Sequence, residues 1–170
     1  GDSAAADFRQ RPHPAARTVQ VMFTIEAVPA DVATRLRATA TVVRVADESP
    51  GYPCRQCLRD AEFGEELVLV SHDPFGTDSA SPYRSTSPIW LHRDDCADRL
   101  DASAVPDQLT QRRLSVRTFD AAEMMIDGRV VDGAELAETL EELLALPRAE
   151  RVHIHNAGPG CFAAVAHLGV

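Results

Sequence analysis

The chain has 170 residues, 45% of them hydrophobic, and a net charge of −9. That length suits one domain, and folding it buries roughly 70% of the surface the unfolded chain exposes, so a core is feasible without disulfides or metal. The acidic balance excludes a broad electrostatic affinity for nucleic acid or anionic membrane, and no apolar run approaches the roughly 20 residues of a membrane-spanning helix.

Lys and Arg together number 17, and every one is arginine. A GC-rich genome accounts for such a bias. The planar guanidinium also makes paired bonds to carboxylate or phosphate, so any arginine in a cleft is a usable anion ligand. Four cysteines in a chain of this size do not form a disulfide scaffold, and no secretory leader is read. A reducing cytoplasm is the expected compartment.

Residues 1–17 are rich in Ala, Arg and Pro and lack periodicity. Residues 1–20 are accordingly read as a disordered tail or a tag-derived or upstream segment, with Gly1 a tag remnant and Met22 a candidate start. Residues 21–170 form the domain. Val21-Met22-Phe23-Thr24-Ile25 reads as a strand. Asp31 is placed to cap a short helix through Ala33, Leu36 and Arg37. Thr41-Val42-Val43-Arg44-Val45 is a β-branched strand. Ser49-Pro50-Gly51-Tyr52-Pro53 must be a turn, and it delivers the first cysteine pair.

Residues 65–71 read as a strand with the apolar run Leu67-Val68-Leu69-Val70. Residues 72–88 form a long loop rich in Ser, Pro, Asp and Gly, a length often tied to function. Ile89-Trp90-Leu91 is a short strand leading into His92. Residues 114–119 and 124–131 give two further strands. Residues 133–146 are the clearest helix: Leu136, Leu140, Leu143 and Leu144 recur at helical spacing, and Pro147 ends it. A final hairpin joins residues 151–156 to 161–168 around Ala157-Gly158-Pro159-Gly160. This order predicts a single α+β domain: a mostly antiparallel or mixed sheet of five to seven strands with two main helices.

Several ordered motifs stand out. They are Pro50-Gly51-Tyr52-Pro53-Cys54-Arg55, Asp60-Ala61 with Gly64-Glu65, Pro82-Tyr83-Arg84, Leu114-Ser115-Val116-Arg117-Thr118-Phe119-Asp120, and His153-Ile154-His155-Asn156-Ala157 with Gly160-Cys161-Phe162. Together they make the chain resemble, over roughly residues 22–168, a bacterial family catalogued as domain of unknown function 1203. The resemblance implies a small single-domain protein and carries no activity with it.

The chemistry-bearing residues fall in three short segments. Cys54 and Cys57 have the two-residue spacing of a zinc knuckle, and His92 and Cys96 are four apart. If a turn follows the strand, the four make a three-sulfur, one-nitrogen set suited to tetrahedral zinc. The alternative is four unliganded small side chains. Thiol redox chemistry at the same CxxC would need a helix starting at the first cysteine, and Phe63-Gly64 stops any helix begun at Leu58.

Alternation puts Arg113, Ser115 and Arg117 on one side of their strand, and Arg151, His153 and His155 on one side of theirs. If the strands share a sheet, two arginines and two histidines meet on one face, under the loop carrying Tyr83 and Arg84. That face is either a solvated polar surface or an anion site. Cys161 is a candidate nucleophile with His153 or His155 as base. A four-residue hairpin loop, however, pairs His155 with Phe162 and leaves Cys161 beside Asn156, facing away from both histidines unless a bulge intervenes. Asn156 by default caps its own turn.

The leading expectation is therefore a domain that binds or processes a small anionic molecule. Arg55, Tyr83, Arg84, Arg113, Arg117 and Asn156 would form the cleft, and His153 and His155 would orient the ligand or exchange protons. Cys54, Cys57, His92 and Cys96 would hold zinc. A non-enzymatic zinc-stabilised interaction module is the alternative, and a Cys–His hydrolase or transferase built on Cys161 is a further one. Oligomeric state is not readable from the sequence.

Overall fold

The computed structural model describes residues 22–169. The segment read as a tail lies outside them. Among the described residues run eight strands and three short helices: β1 Phe23–Glu26, α1 Ala30–Ala38, β2 Val42–Val45, β3 Glu66–His72, β4 Ser87–His92, α2 Asp107–Thr110, β5 Arg113–Phe119, β6 Met125–Asp132, α3 Leu136–Leu144, β7 Arg151–Asn156 and β8 Phe162–Leu168. The α+β class and the antiparallel pairing are those expected from the sequence, but the strands divide between two sheets. One has the order β1-β8-β7-β5-β6 and the other β2-β3-β4. Among the described residues, no helix is long and apolar enough to cross a membrane.

The larger sheet forms because its strands alternate. Leu114 and Val116 of β5 and Val152 and Ile154 of β7 point to one side and are fully buried. Against them packs the stripe Leu136, Leu140, Leu143 and Leu144 of α3. Such a stripe buries about 1.5–3 kcal/mol per leucine, so this face is the main core. The chain enters α3 through a 3-10 turn at Gly133–Glu135. A Cβ at Gly133 would lie 1.9 Å from the Leu109 carbonyl oxygen, so only glycine lets this turn sit on α2.

The opposite face of the large sheet carries Phe162 and Val165. These join Val68, Val70, Ile89 and Leu91 of the small sheet in a second cluster, which also contains Cys54, Cys57 and Cys96. The Ser87 hydroxyl accepts a bond from the Phe162 amide at 3.0 Å, which ties β4 to β8. Residues 73–86 close the rest of that face. Phe75 and Tyr83 meet the Phe119 ring edge-on at centroid distances of 5.0 and 5.7 Å.

Asp31 does not cap α1. Pro29 holds the N-cap position, and Asp31 lies in the first turn, 3.3 Å from Arg35. A proline before the first turn presets φ and has no amide to satisfy, so the carboxylate is left to the i,i+4 pair.

Candidate metal centre and ligand cleft

Cys54 and Cys57 sit on a loop that folds back on itself. The Cys54 amide bonds the Arg59 carbonyl at 3.0 Å, and the Arg55 amide bonds Trp90 in β4 at 3.0 Å. His92 ends β4, and Cys96 follows one tight turn later, before a 3-10 turn at Ala97–Arg99. All four residues are buried, and their ligand atoms lie within 4.8 Å of one another. The Cys54 and Cys96 sulfurs are 3.6 Å apart, too far for the roughly 2.05 Å bond of a disulfide. Cys57 Sγ is 3.5 Å from His92 Nδ1. A tetrahedron with metal–sulfur bonds of about 2.3 Å and metal–nitrogen bonds of about 2.05 Å has edges of about 3.8 and 3.6 Å, so both spacings fit one tetrahedral ion.

The surroundings suit a cation as well. His92 Nε2 lies 2.9 Å from a Glu65 oxygen. A carboxylate only accepts, so Nε2 carries the proton and Nδ1 presents its lone pair to the cluster. Glu65 is held in turn by Arg99 at 2.7 Å. The His92 amide points at Cys54 Sγ at 3.3 Å. Arg37 bonds the His92 carbonyl at 2.8 Å, and its guanidinium reaches Cys96 Sγ at 3.9 Å. Three thiolates on a divalent ion would leave one negative charge, which Arg37 is placed to offset.

Without a cation the cluster is in conflict. Thiol bonds from Cys57 and Cys96 hold Cys54 far below the ordinary thiol range, and the bonds to Cys54 and Cys57 drive Cys96 far above it. Burial disfavours charge on His92, but its bonds to Cys54, Cys57 and Glu65 outweigh this and push it up to about 10. Three sulfurs this close cannot ionise together unless a cation joins them.

The residues expected to bind an anion fall into two spaces. Arg55, Arg113, Asn156 and Cys161 line a cleft of about 520 Å³ at the hairpin end of the large sheet. Tyr83, Arg117, His153 and His155 line a separate space of only about 40 Å³, and His153 also borders a larger cleft of about 710 Å³ with His72, Arg151 and Phe162. Arg84 lines neither of these: it pairs with Asp73 at 2.5 Å and bonds the Thr77 carbonyl at 3.1 Å, which fixes the loop to itself.

The alternation of β5 and β7 does bring Arg117 opposite His153 and Ser115 opposite His155. That face is buried rather than solvated, because the loop and the small sheet cover it. His153 lies between Phe75 and Phe119 at 4.7 and 4.8 Å. Burial, then Arg151, His155 and Arg117, push its pKa down to about 3. Burial likewise brings His155 down to about 4, although its Nδ1 donates to the Gly160 carbonyl at 2.9 Å. Both are neutral, packed rings at neutral pH. His155 is opposite Phe162, while the Asn156 amide bonds the Cys161 carbonyl at 2.9 Å. A bulge does occur in this hairpin, between Ile154 and His155, yet Cys161 stays with Asn156. No hydrogen bond joins Cys161 to a histidine among the described residues.

Arg55 is the unusual member. It is 1% exposed, among the most buried large side chains of the protein. Its Nε donates to the Phe162 carbonyl at 2.8 Å and its Nη1 to the Pro53 carbonyl. Burial lowers its pKa to about 10, with Cys161 opposing the fall, so it remains a cation. No carboxylate pairs with it among the described residues. Asn156 Oδ1, on the same cleft, is buried with no hydrogen-bond partner.

Sequence reasoning missed several contributors. Trp90, Leu69 and Pro88 wall the cleft, but in sequence they read as strand or loop residues. Glu65, Arg37 and Gln56 brace the cysteine–histidine cluster from distant positions, and no spacing announces them.

Searches of curated proteins and of solved structures find no match to the chain. A family model described as "Protein of unknown function (DUF1203)" matches residues 51–167, which contain the whole cysteine–histidine cluster and the cleft. The chain belongs to the DUF1203 family.

Proposed function

We propose that this protein binds a small anionic molecule in the 520 Å³ cleft, and that zinc at Cys54, Cys57, His92 and Cys96 fixes the loop that presents Arg55. The observation that carries the reading is Arg55: a cation 1% exposed, on a cavity wall, with Nε and Nη1 on carbonyls, Cys161 beside it and no carboxylate pairing with it among the described residues. A buried charge without a counter-charge is costly, and a structure retains one where a ligand supplies the opposite charge. Arg113 stands at the rim, mostly exposed and only 3.9 Å from Asp132, free to assist. Zinc is favoured over other ions because three sulfurs and one imidazole at tetrahedral spacing suit it, and no ligand position is left open for catalysis.

The test uses protein purified without chelator or added metal. Elemental analysis should give about one zinc per chain, and Cys57→Ser should lose it together with much of the thermal stability. Calorimetric titration with benzoate should show binding that Arg55→Met abolishes and Arg113→Ala weakens two- to fivefold. Absence of zinc overturns the metal assignment. Benzoate binding that survives Arg55→Met in a folded variant overturns the anion site.

A further inference from the structure

We infer that Cys161 is the nucleophile of this cleft, and that the anion held at Arg55 is a small carboxylate carrying an electrophilic carbon, which the thiol attacks. This rests on the anion reading above and names what happens to the bound anion.

The first observation is the open edge of Arg55. Its Nε and Nη1 are tied to the Phe162 and Pro53 carbonyls, and no oxygen accepts from its Nη2 among the described residues. Nor is that nitrogen sealed: the buried side-chain atoms left without a partner are Gln108 Oε1, Thr118 Oγ1 and Asn156 Oδ1. Nη2 therefore keeps an opening, and the space that Arg55 lines is the cleft. The other two arginines of the lining do not compete for a buried anion. Arg112 is already spent on Asp60, with its two Nη atoms on the two carboxylate oxygens. Arg113 is exposed at the rim.

The second observation is the thiol beside that edge. Cys161 directly precedes Phe162, whose carbonyl takes Arg55 Nε at 2.8 Å, and it lies close enough to the guanidinium to favour the cation. It is partly exposed, whereas Cys54, Cys57 and Cys96 are buried. Among the residues lining the cleft it bears the only nucleophilic side chain; the lining holds no histidine, lysine or carboxylate. No group on the wall is thus placed to shuttle a proton, as turnover by hydrolysis would require. The chemistry open to this set needs only a thiol and a positive charge. Arg55 gathers an anion at the sulfur, and the sulfur displaces a leaving group from carbon. The sulfur–carbon bond forms, the bond to the leaving group breaks, and its electron pair departs with that group. The thiol proton passes to water. The product is a thioether on Cys161.

Iodoacetate and iodoacetamide test this, because they share a leaving group and nearly a shape and differ in charge. Both are applied to protein purified without chelator, with N-acetylcysteine amide as a neutral reference thiol, and peptide mass mapping locates the adduct. Ionisation of the thiol is common to both reagents, so the ratio of their rates reports the charge alone. The ratio of iodoacetate to iodoacetamide should be about tenfold higher at Cys161 than at the reference thiol, and benzoate should protect Cys161. Arg55→Met should bring the ratio down to the reference value. The comparison in the unmutated protein stands even where that variant does not fold. A ratio no higher than the reference, or an adduct on Cys54, Cys57 or Cys96 in place of Cys161, overturns Cys161 as the nucleophile; the anion site survives that result where benzoate still binds by calorimetry. Absence of benzoate binding overturns the anion site, and this inference with it.

Discussion

Replacing His153 by phenylalanine should make the protein less sensitive to acid. The ring is 1% exposed among Phe75, Phe119 and Phe162. Burial is the main cause of its low pKa, and Arg151, His155, Arg117 and His167 add to it, so the folded protein protonates His153 only near pH 3, against an ordinary 6.5. The unfolded chain takes up that proton near pH 6.5, so acid favours unfolding. The stabilisation is full above about pH 6.5 and is lost progressively down to about pH 3. At about 1.36 kcal/mol per pH unit below 6.5, one such histidine loses roughly 2 kcal/mol by pH 5. His155, held at about 4, loses a similar amount over the same window. Together that is a large share of the roughly 5–15 kcal/mol typical of a domain. The assay is urea unfolding of zinc-loaded wild type and His153→Phe at pH 7 and pH 5. Phenylalanine keeps the ring contacts and removes the titration. Protonation of the cysteine cluster acts on both proteins alike, so the difference between them isolates His153. Wild type should lose about 2 kcal/mol more than the variant. Equal losses would mean that the folded protein accepts the proton and that the ring is not sealed from water.

Two further substitutions probe other parts of the structure. Glu65→Gln removes the charge that orients His92 and should weaken zinc binding about 10–100-fold in competition with a chromophoric chelator, with the zinc-loaded circular dichroism unchanged. Unchanged affinity would separate Glu65 from the metal centre. Gly133→Ala forces a methyl into the Leu109 and Arg112 carbonyls, 1.9 and 2.7 Å away, and should destabilise by about 3 kcal/mol in urea unfolding. A loss below about 0.5 kcal/mol would show that the turn and α2 shift apart freely.

Much of the secondary structure was legible because local rules govern it. Val152 and Ile154 alternate with His153 and His155, and the leucine stripe of α3 has helical spacing. The cysteine–histidine cluster was legible too, since a CxxC and a histidine four residues before a cysteine are short-range signals. The division into two sheets was not. It depends on pairings such as Phe23 with Leu168, at opposite ends of the chain, which no local pattern encodes. Helix α2 has four residues, too few to show a period. The histidine face was placed correctly by alternation, but its burial follows from Phe75 and Tyr83 folding over it. The cleft was half visible: Arg55, Arg113 and Asn156 were named. The pairing that removes Arg112 from use joins residues 52 apart.

The two candidate sites share one segment, and this explains the arrangement better than either does alone. Cys54-Arg55-Gln56-Cys57 places two sulfurs in the cysteine–histidine cluster. Of the two residues between them, Gln56 faces Asp95 at 2.7 Å, bracing the turn that carries Cys96. Arg55 runs the other way, to the Phe162 carbonyl of the large sheet. A free loop would turn this guanidinium out to water, where its charge is best solvated. With a metal bound as proposed, cysteines clamped on either side would remove that freedom, and metal–sulfur bonds rather than a carboxylate beside it would offset the desolvation of Arg55. An internal carboxylate would have satisfied the charge at lower cost, but it would have occupied the place a ligand anion needs. On the reading proposed above, holding the cation with a metal-fixed loop would leave it available to a ligand anion, and a structural zinc would then take a direct part in recognition.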